Sequence, residues 1–198
     1  MTQKPDYDSL YEIAENQAGY FTASQAREVG FSWERLSSNT KKGLFLRAAR
    51  GVYRLVRFPG SAYEDLFVAW LRTGQKAVIS HESALSLYDL TEVLPSEIHV
   101  IVPETSSRRR KGIRQHTNQL APDEIAHREG LPVTTVARTI ADVSVSGLAE
   151  EQIQLAIRES LRRGLTSQDE LLRHANRRGG RANRIIHAAL SEEMKHEI

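Results

Sequence analysis

Between Asp6 and Phe58 the apolar positions change period several times, and each change marks an element. Tyr7, Leu10, Ile13 and Ala14 recur at helical spacing behind an acidic first turn, which predicts a helix from about Asp6 to Gln17, ended by Gly19. Thr22-Ala23-Ser24-Gln25 has the form of a capping box and starts a short second helix that Gly30 stops. Ser32 can cap a third helix, Trp33 to Lys42, before Gly43. On it Trp33, Leu36 and Thr40 are expected to face inward, and Arg35, Ser38, Asn39 and Lys42 outward. Leu44–Arg47 and Val52–Leu55 read as strands around Ala48-Ala49-Arg50-Gly51, a hairpin in which Gly51 supplies the positive φ. Three helices followed by a hairpin is the order of a winged helix-turn-helix.

Pro59-Gly60 then predicts a boundary, giving domains at 1–59 and 60–198. The second part opens with an apolar helix carrying Tyr63, Leu66, Phe67, Ala69, Trp70 and Leu71. Next come Ala77-Val78-Ile79 and a helix capped by Ser80 and running through Leu90. Glu97–Val102 alternates and is β-branched, Ile113–Thr117 is its expected partner strand, and Leu131-Pro132-Val133 reads as an edge strand because of its proline. Helices are expected at about 135–145, 150–163, 167–176 and 181–195. The fold class is α+β: an N-terminal winged helix-turn-helix, then a helix-rich α+β domain with a small sheet.

Composition narrows the function classes. The chain has 198 residues, 40% of them hydrophobic, enough for two cores. Cysteine is absent, which excludes disulfides, thiolate metal sites and cysteine nucleophiles. Residues 1–8 contain no apolar stretch fit for a signal peptide, and no apolar run approaches the ~20 residues of a membrane span, so a cytoplasmic protein without membrane association is expected. Net charge is only +2, but its distribution is uneven. From Arg35 to Arg57 lie Arg35, Lys41, Lys42, Arg47, Arg50, Arg54 and Arg57 with no acid, the local excess that phosphate binding needs.

These residues, with Ser38 and Asn39 of the third helix and the cap positions Thr22 and Ser32, are the candidate DNA-binding set. A helix fits the major groove, where arginine can read guanine and asparagine adenine, and a basic wing suits the backbone or minor groove. Set against this are an ordinary solvated helix face and a charged edge that discourages aggregation. Arg108, Arg109, Arg110 and Lys111 form a basic loop between two predicted strands, a candidate for secondary nucleic-acid or partner contact or simply a solvated loop. Arg173, Arg177, Arg178, Arg181 and Arg184 cluster around Gly179-Gly180, again without an acid, and read as surface. No catalytic set emerges. His81-Glu82 lacks the second histidine of a zincin, and His99 and His116 on neighbouring strands have no obvious carboxylate ligand, so neither metal nor cofactor is expected.

Several blocks resemble AbiEi-type antitoxins. They are Gly19–Ala26, the wing Arg50-Gly51-Val52-Tyr53-Arg54-Leu55, Ile79–Leu85, Ile98–Pro103 with its following basic loop, and Gly130–Asp142. The ordered set covers nearly the whole chain. The resemblance implies a non-enzymatic bacterial regulator. Its winged helix would bind inverted repeats in its own promoter as double-stranded DNA, and its C-terminal domain would counteract a cognate nucleotidyltransferase-like toxin. By position, DNA contact would fall on the third helix and the Arg47–Arg54 wing. Ser80-His81-Glu82 and Arg138-Thr139 would carry a structural or antitoxin role. Two alternatives stay open: a nucleic-acid-processing enzyme with a C-terminal site, and an orphan regulator without a toxin. Oligomeric state is not legible.

Overall fold

A computed structural model describes residues 4–92, 95–104 and 110–196. The elements of the first part are α1 (Tyr7–Glu15), β1 (Tyr20–Thr22), α2 (Ala23–Glu28), α3 (Trp33–Lys41), β2 (Phe45–Ala49), β3 (Val52–Leu55) and α4 (Glu64–Thr73). The expected three helices and hairpin are present. Phe21, Phe31, Leu36, Phe45 and Tyr53 close one core with Leu10, Ala14 and Ala26. Phe21 packs edge-on against Phe45 at 5.1 Å and parallel to Tyr53 at 5.8 Å.

β1 was not anticipated. It pairs antiparallel with β3, so the sheet order is β1-β3-β2 and the wing's second strand is central. A three-residue segment carries little periodicity; its strand character comes from partners some thirty residues on. Thr22 still starts α2: its hydroxyl accepts from the Gln25 amide at 3.1 Å, and Gln25 Oε1 accepts from the Thr22 amide at 2.8 Å. Gly30 closes α2 with φ +87°, and a Cβ there would meet the Lys4 carbonyl oxygen at 2.7 Å.

The chain divides into two compact units, Met1–Ala77 with Glu129–Leu131, and Val78–Arg128 with Pro132–Ile198. The apolar helix that the pattern puts at the head of the second domain is α4, which belongs to the first unit. Phe67 is fully buried and stacks on Tyr20 at 6.2 Å, with planes 8° apart.

The second unit continues with β4 (Val78–Ile79), α5 (His81–Leu87), β5 (Ile98–Val102), β6 (Ile113–Thr117), a 3-10 turn Pro122–Glu124, β7 (Ile125–Arg128) and β8 (Leu131–Thr134). Four helices follow: α6 (Val136–Ser146), α7 (Glu150–Arg162), α8 (Gln168–Arg178) and α9 (Gly180–His196). The sheet order is β6-β5-β4-β8-β7, with β5 parallel to β6 and antiparallel to β4. Proline led β8 to be expected at an edge, but it lies between β4 and β7. On the β4 side the proline is accommodated because β4 is only two residues long and pairs with β8 at Ile79–Val133, one residue past Pro132. Ile140, Val143, Ile153, Ile157, Leu171 and Ile186 fill the core beneath the helices. Among the described residues no helix is long and apolar enough to cross a membrane.

Candidate nucleic-acid interface

The third helix is held by Leu36, wholly buried, and by Asn39, 5% exposed. Asn39 Nδ2 donates to the Tyr7 hydroxyl at 3.2 Å, and its carbonyl accepts from the Leu44 amide at 2.9 Å. Asn39 therefore takes the inward position that the pattern assigns to Trp33, and Trp33 is 55% exposed, with the Arg27 guanidinium 5.8 Å from its ring. The outward face carries Trp33, Glu34, Arg35, Ser37, Lys41 and Lys42 exposed, with Ser38 half-buried among them. Asn39 thus stands apart from Arg35, Ser38 and Lys42, with which it was grouped. Sequence reasoning missed Trp33 as surface. The available signal was Tyr7, which offers a buried amide a partner.

The remaining candidates sort by whether their polar atoms are free. Ser32 Oγ accepts from the Arg35 amide at 3.3 Å and caps α3, as Thr22 caps α2; both hydroxyls serve the backbone. Arg54 is also occupied. Its Nη2 donates to the carbonyls of Phe58 and Pro59 at 2.8 Å each, and its guanidinium lies 5.7 Å from the Tyr20 ring. By contrast Arg47, Arg50 and Arg57 are exposed and, with Arg35, Lys41 and Lys42, enter no ion pair among the described residues. The hairpin projects them. In β2 only Phe45 is buried, a register shift between Arg47 and Ala49 kinks the strand, and Gly51 turns it with φ +79°. Glu34 is the acid in this neighbourhood. A hydrogen bond from the Ser32 hydroxyl holds its carboxyl below the ordinary range, so it is ionised at neutral pH.

Residues 8–56 match the family described as "Transcriptional regulator, AbiEi antitoxin". The matched segment runs from within α1 to just past β3, so it takes in α3 and the wing. Over a longer span the chain is similar in fold to a solved structure, the crystal structure of RV2827C protein from Mycobacterium tuberculosis. The TM-score is 0.55 and the identity 15%, over 92% of this chain and 74% of that one. None of the curated proteins matches the chain.

Apart from Arg173, which pairs with Glu170 on its own helix, the basic cluster of α8 and α9 has its partners in other elements. Arg138, itself buried, bonds Asp142 and Glu124 at 2.9 Å each; Arg178 reaches Asp142 at 2.7 Å and Arg177 reaches Glu124 at 3.1 Å. Arg181 donates to the carbonyls of Ser144 and Leu148, and Arg184 pairs with Glu150 at 2.6 Å. Most of this charge is spent on joining helices to one another. Of the basic run that follows β5 in sequence, Arg108 and Arg109 lie outside the described residues, and Lys111 is exposed in the turn before β6.

The second unit also gathers His81, His99 and His116. His99 and His116 lie diagonally across the parallel β5–β6 pair, with ring centroids 5.2 Å apart, and His81 stacks on His116 at 3.7 Å. Ser80 occupies the N-cap of α5, as expected, but its hydroxyl makes no capping bond and instead lies 3.0 Å from His81 Nδ1. Burial, reinforced by the neighbouring His116, pushes His81 down to about 3, and burial with His99 pushes His116 down to about 4. Burial raises the Glu82 carboxyl, but the His99 imidazole, the Glu82 backbone amide and the Ser146 hydroxyl together outweigh it and bring it to about 2. The His81 and His116 rings are thus neutral at neutral pH, beside an ionised Glu82 carboxylate.

Proposed function

We propose that the chain is a sequence-specific DNA-binding repressor acting without catalysis, and the antitoxin of a toxin–antitoxin pair. In this reading it represses its own operon and counteracts a nucleotidyltransferase-like toxin through its C-terminal unit. The observation that carries it is the contrast in how charge is used. Arg35, Lys41 and Lys42 of α3 and its end, and Arg47, Arg50 and Arg57 of the wing and beyond, are exposed and enter no ion pair among the described residues, whereas the cations of α8 and α9 are largely tied up in internal ion pairs and carbonyl contacts. The AbiEi match over the same segment supports the regulatory reading.

In the proposed complex α3 enters the major groove. Arg35, with Ser38 beside it, addresses base edges, and Lys41, Lys42, Arg47, Arg50 and Arg57 neutralise phosphates. Trp33 adds apolar contact to sugar or a thymine methyl. Thr22, Ser32, Asn39 and Arg54 hold the frame and reach DNA only through it. An operator of inverted repeats would take two copies, spaced by its symmetry.

A reporter under the gene's own upstream region tests repression: expression of the chain lowers the signal, and Lys41→Ala with Arg47→Ala restores it. Co-expression with an adjacent nucleotidyltransferase-like reading frame tests the antitoxin half. Growth rescued by the chain supports it, and growth arrest unchanged by the chain overturns that half alone.

A further inference from the structure

We propose that His81, His99 and His116 form a binding site for a divalent transition-metal ion, zinc or a metal of similar coordination chemistry, with Glu82 as the carboxylate that orients His99. This inference stands independently of DNA binding. Three imidazoles from α5, β5 and β6 bring one nitrogen each to within 4.8 Å of the others. Imidazole is the donor that suits zinc, copper and nickel, and three histidines leave a fourth position for water.

Each ring has the right nitrogen to spare. Ser80 Oγ engages His81 Nδ1 at 3.0 Å, which leaves Nε2 for an ion. Glu82 Oε2 sits 2.6 Å from His99 Nδ1, which again leaves Nε2. A carboxylate on the far nitrogen of a metal-binding histidine fixes its tautomer and raises its donor strength. Glu82 is itself anchored, because its Oε1 accepts from the Ser146 hydroxyl at 2.9 Å. His116 Nε2 is buried with no hydrogen-bond partner. An orphaned buried nitrogen calls for an explanation, and an ion supplies one.

The backbone adds a separate sign. His81 has φ +51°, a left-handed conformation unfavourable for a side-chain-bearing residue, at the first position of α5. That strain turns the ring onto His116, and such outliers collect at ligand-binding points. Binding requires modest closure. Zinc–nitrogen bonds of 2.0–2.1 Å in a tetrahedron set nitrogens about 3.3 Å apart. His81 and His116 are stacked within 12° of parallel, so one ring must rotate for their lone pairs to converge. His116 is only half-buried and can make that turn.

The test uses the full-length, tag-free chain, stripped with a chelator and titrated with zinc by calorimetry and with cobalt by visible absorption. Expected are one equivalent per chain, a cobalt band of low-symmetry nitrogen coordination, and a higher melting temperature with zinc. His116→Gln and His99→Asn are each expected to weaken zinc by more than about 100-fold, and Glu82→Gln by about 10–100-fold, the range for loss of an orienting partner. His127→Gln and His187→Gln, at exposed positions outside the cluster, should leave affinity unchanged. Absence of saturable binding by the wild-type chain overturns the proposal whatever the variants do. So does zinc affinity that survives in His99→Asn and His116→Gln.

Discussion

Arg35 and Asn39 stand one turn apart on α3 and have opposite surroundings: Arg35 is exposed, while Asn39 is buried on the Tyr7 hydroxyl. Their substitutions should therefore be read out differently. Arg35→Ala is expected to cost ~1–3 kcal/mol at particular operator base pairs and to relax preference there, as measured by competition between operators mutated one position at a time. Asn39→Ala removes a neutral, part-buried hydrogen bond. It should lower stability by about 1 kcal/mol while leaving the relative ranking of operators intact. Thermal melts beside the same competition assay separate the two; an altered ranking with an unchanged melt contradicts the assignment of Asn39 to the frame. Spacing alone groups Asn39 with Arg35, and the residue that separates them, Tyr7, lies 32 positions upstream.

At the scale of elements, what was legible is what is local. The capping box at Thr22–Gln25, the Ser32 cap and the Gly51 turn are written within four residues of themselves, and the structure contains all three. β1, the interior position of β8 and the attachment of α4 to the first unit depend on distant partners. The wing carries its own prediction. In the proposed complex Arg47 and Arg50 neutralise phosphates, so replacing both with Ala should weaken all duplexes similarly and lower the slope of log affinity against log salt by about 2. A titration series across salt concentrations measures this. An unchanged slope would remove the wing from the interface.

For the molecule as a whole, lack of acids in a sequence window did not mean lack of acids in space. Arg177 and Arg178 meet Glu124 and Asp142 only because α6, α8 and the turn before β7 come together around Arg138. Arg138→Ala removes the buried cation between Glu124 and Asp142 and leaves them only the Arg177 and Arg178 contacts; it should cost up to about 3–5 kcal/mol by chemical denaturation, the upper end being the loss typical of a broken buried pair. The network also sets a pH dependence. Burial lowers His174 below 6.5, and the pull of Glu124 does not restore it. Burial raises Glu124, but the Ala121 amide and Arg138 outweigh it and hold the carboxyl below 4.5. Both folded values lie below the unfolded ones, so the unfolded chain takes up protons first. Their contribution is complete above pH 6.5 and declines as the pH falls, through the histidine range and then the carboxylate range. His81 and His116 add a slope of the same sign, whereas Asp142, raised by burial, opposes it among the carboxylates. His174→Gln should flatten the stability profile just below pH 6.5; a profile that stays as steep would exclude His174 as a source of that slope.

The central claim is that the exposed charge of α3 and the wing selects a DNA sequence. A mobility-shift titration of the full chain against its own upstream region and a scrambled duplex, at low and at near-physiological salt, tests it most directly. Selective retention of the upstream fragment at the higher salt, reduced by Arg35→Ala, is the predicted result. Equal binding to both duplexes that vanishes with salt would contradict it, leaving a basic surface without sequence preference.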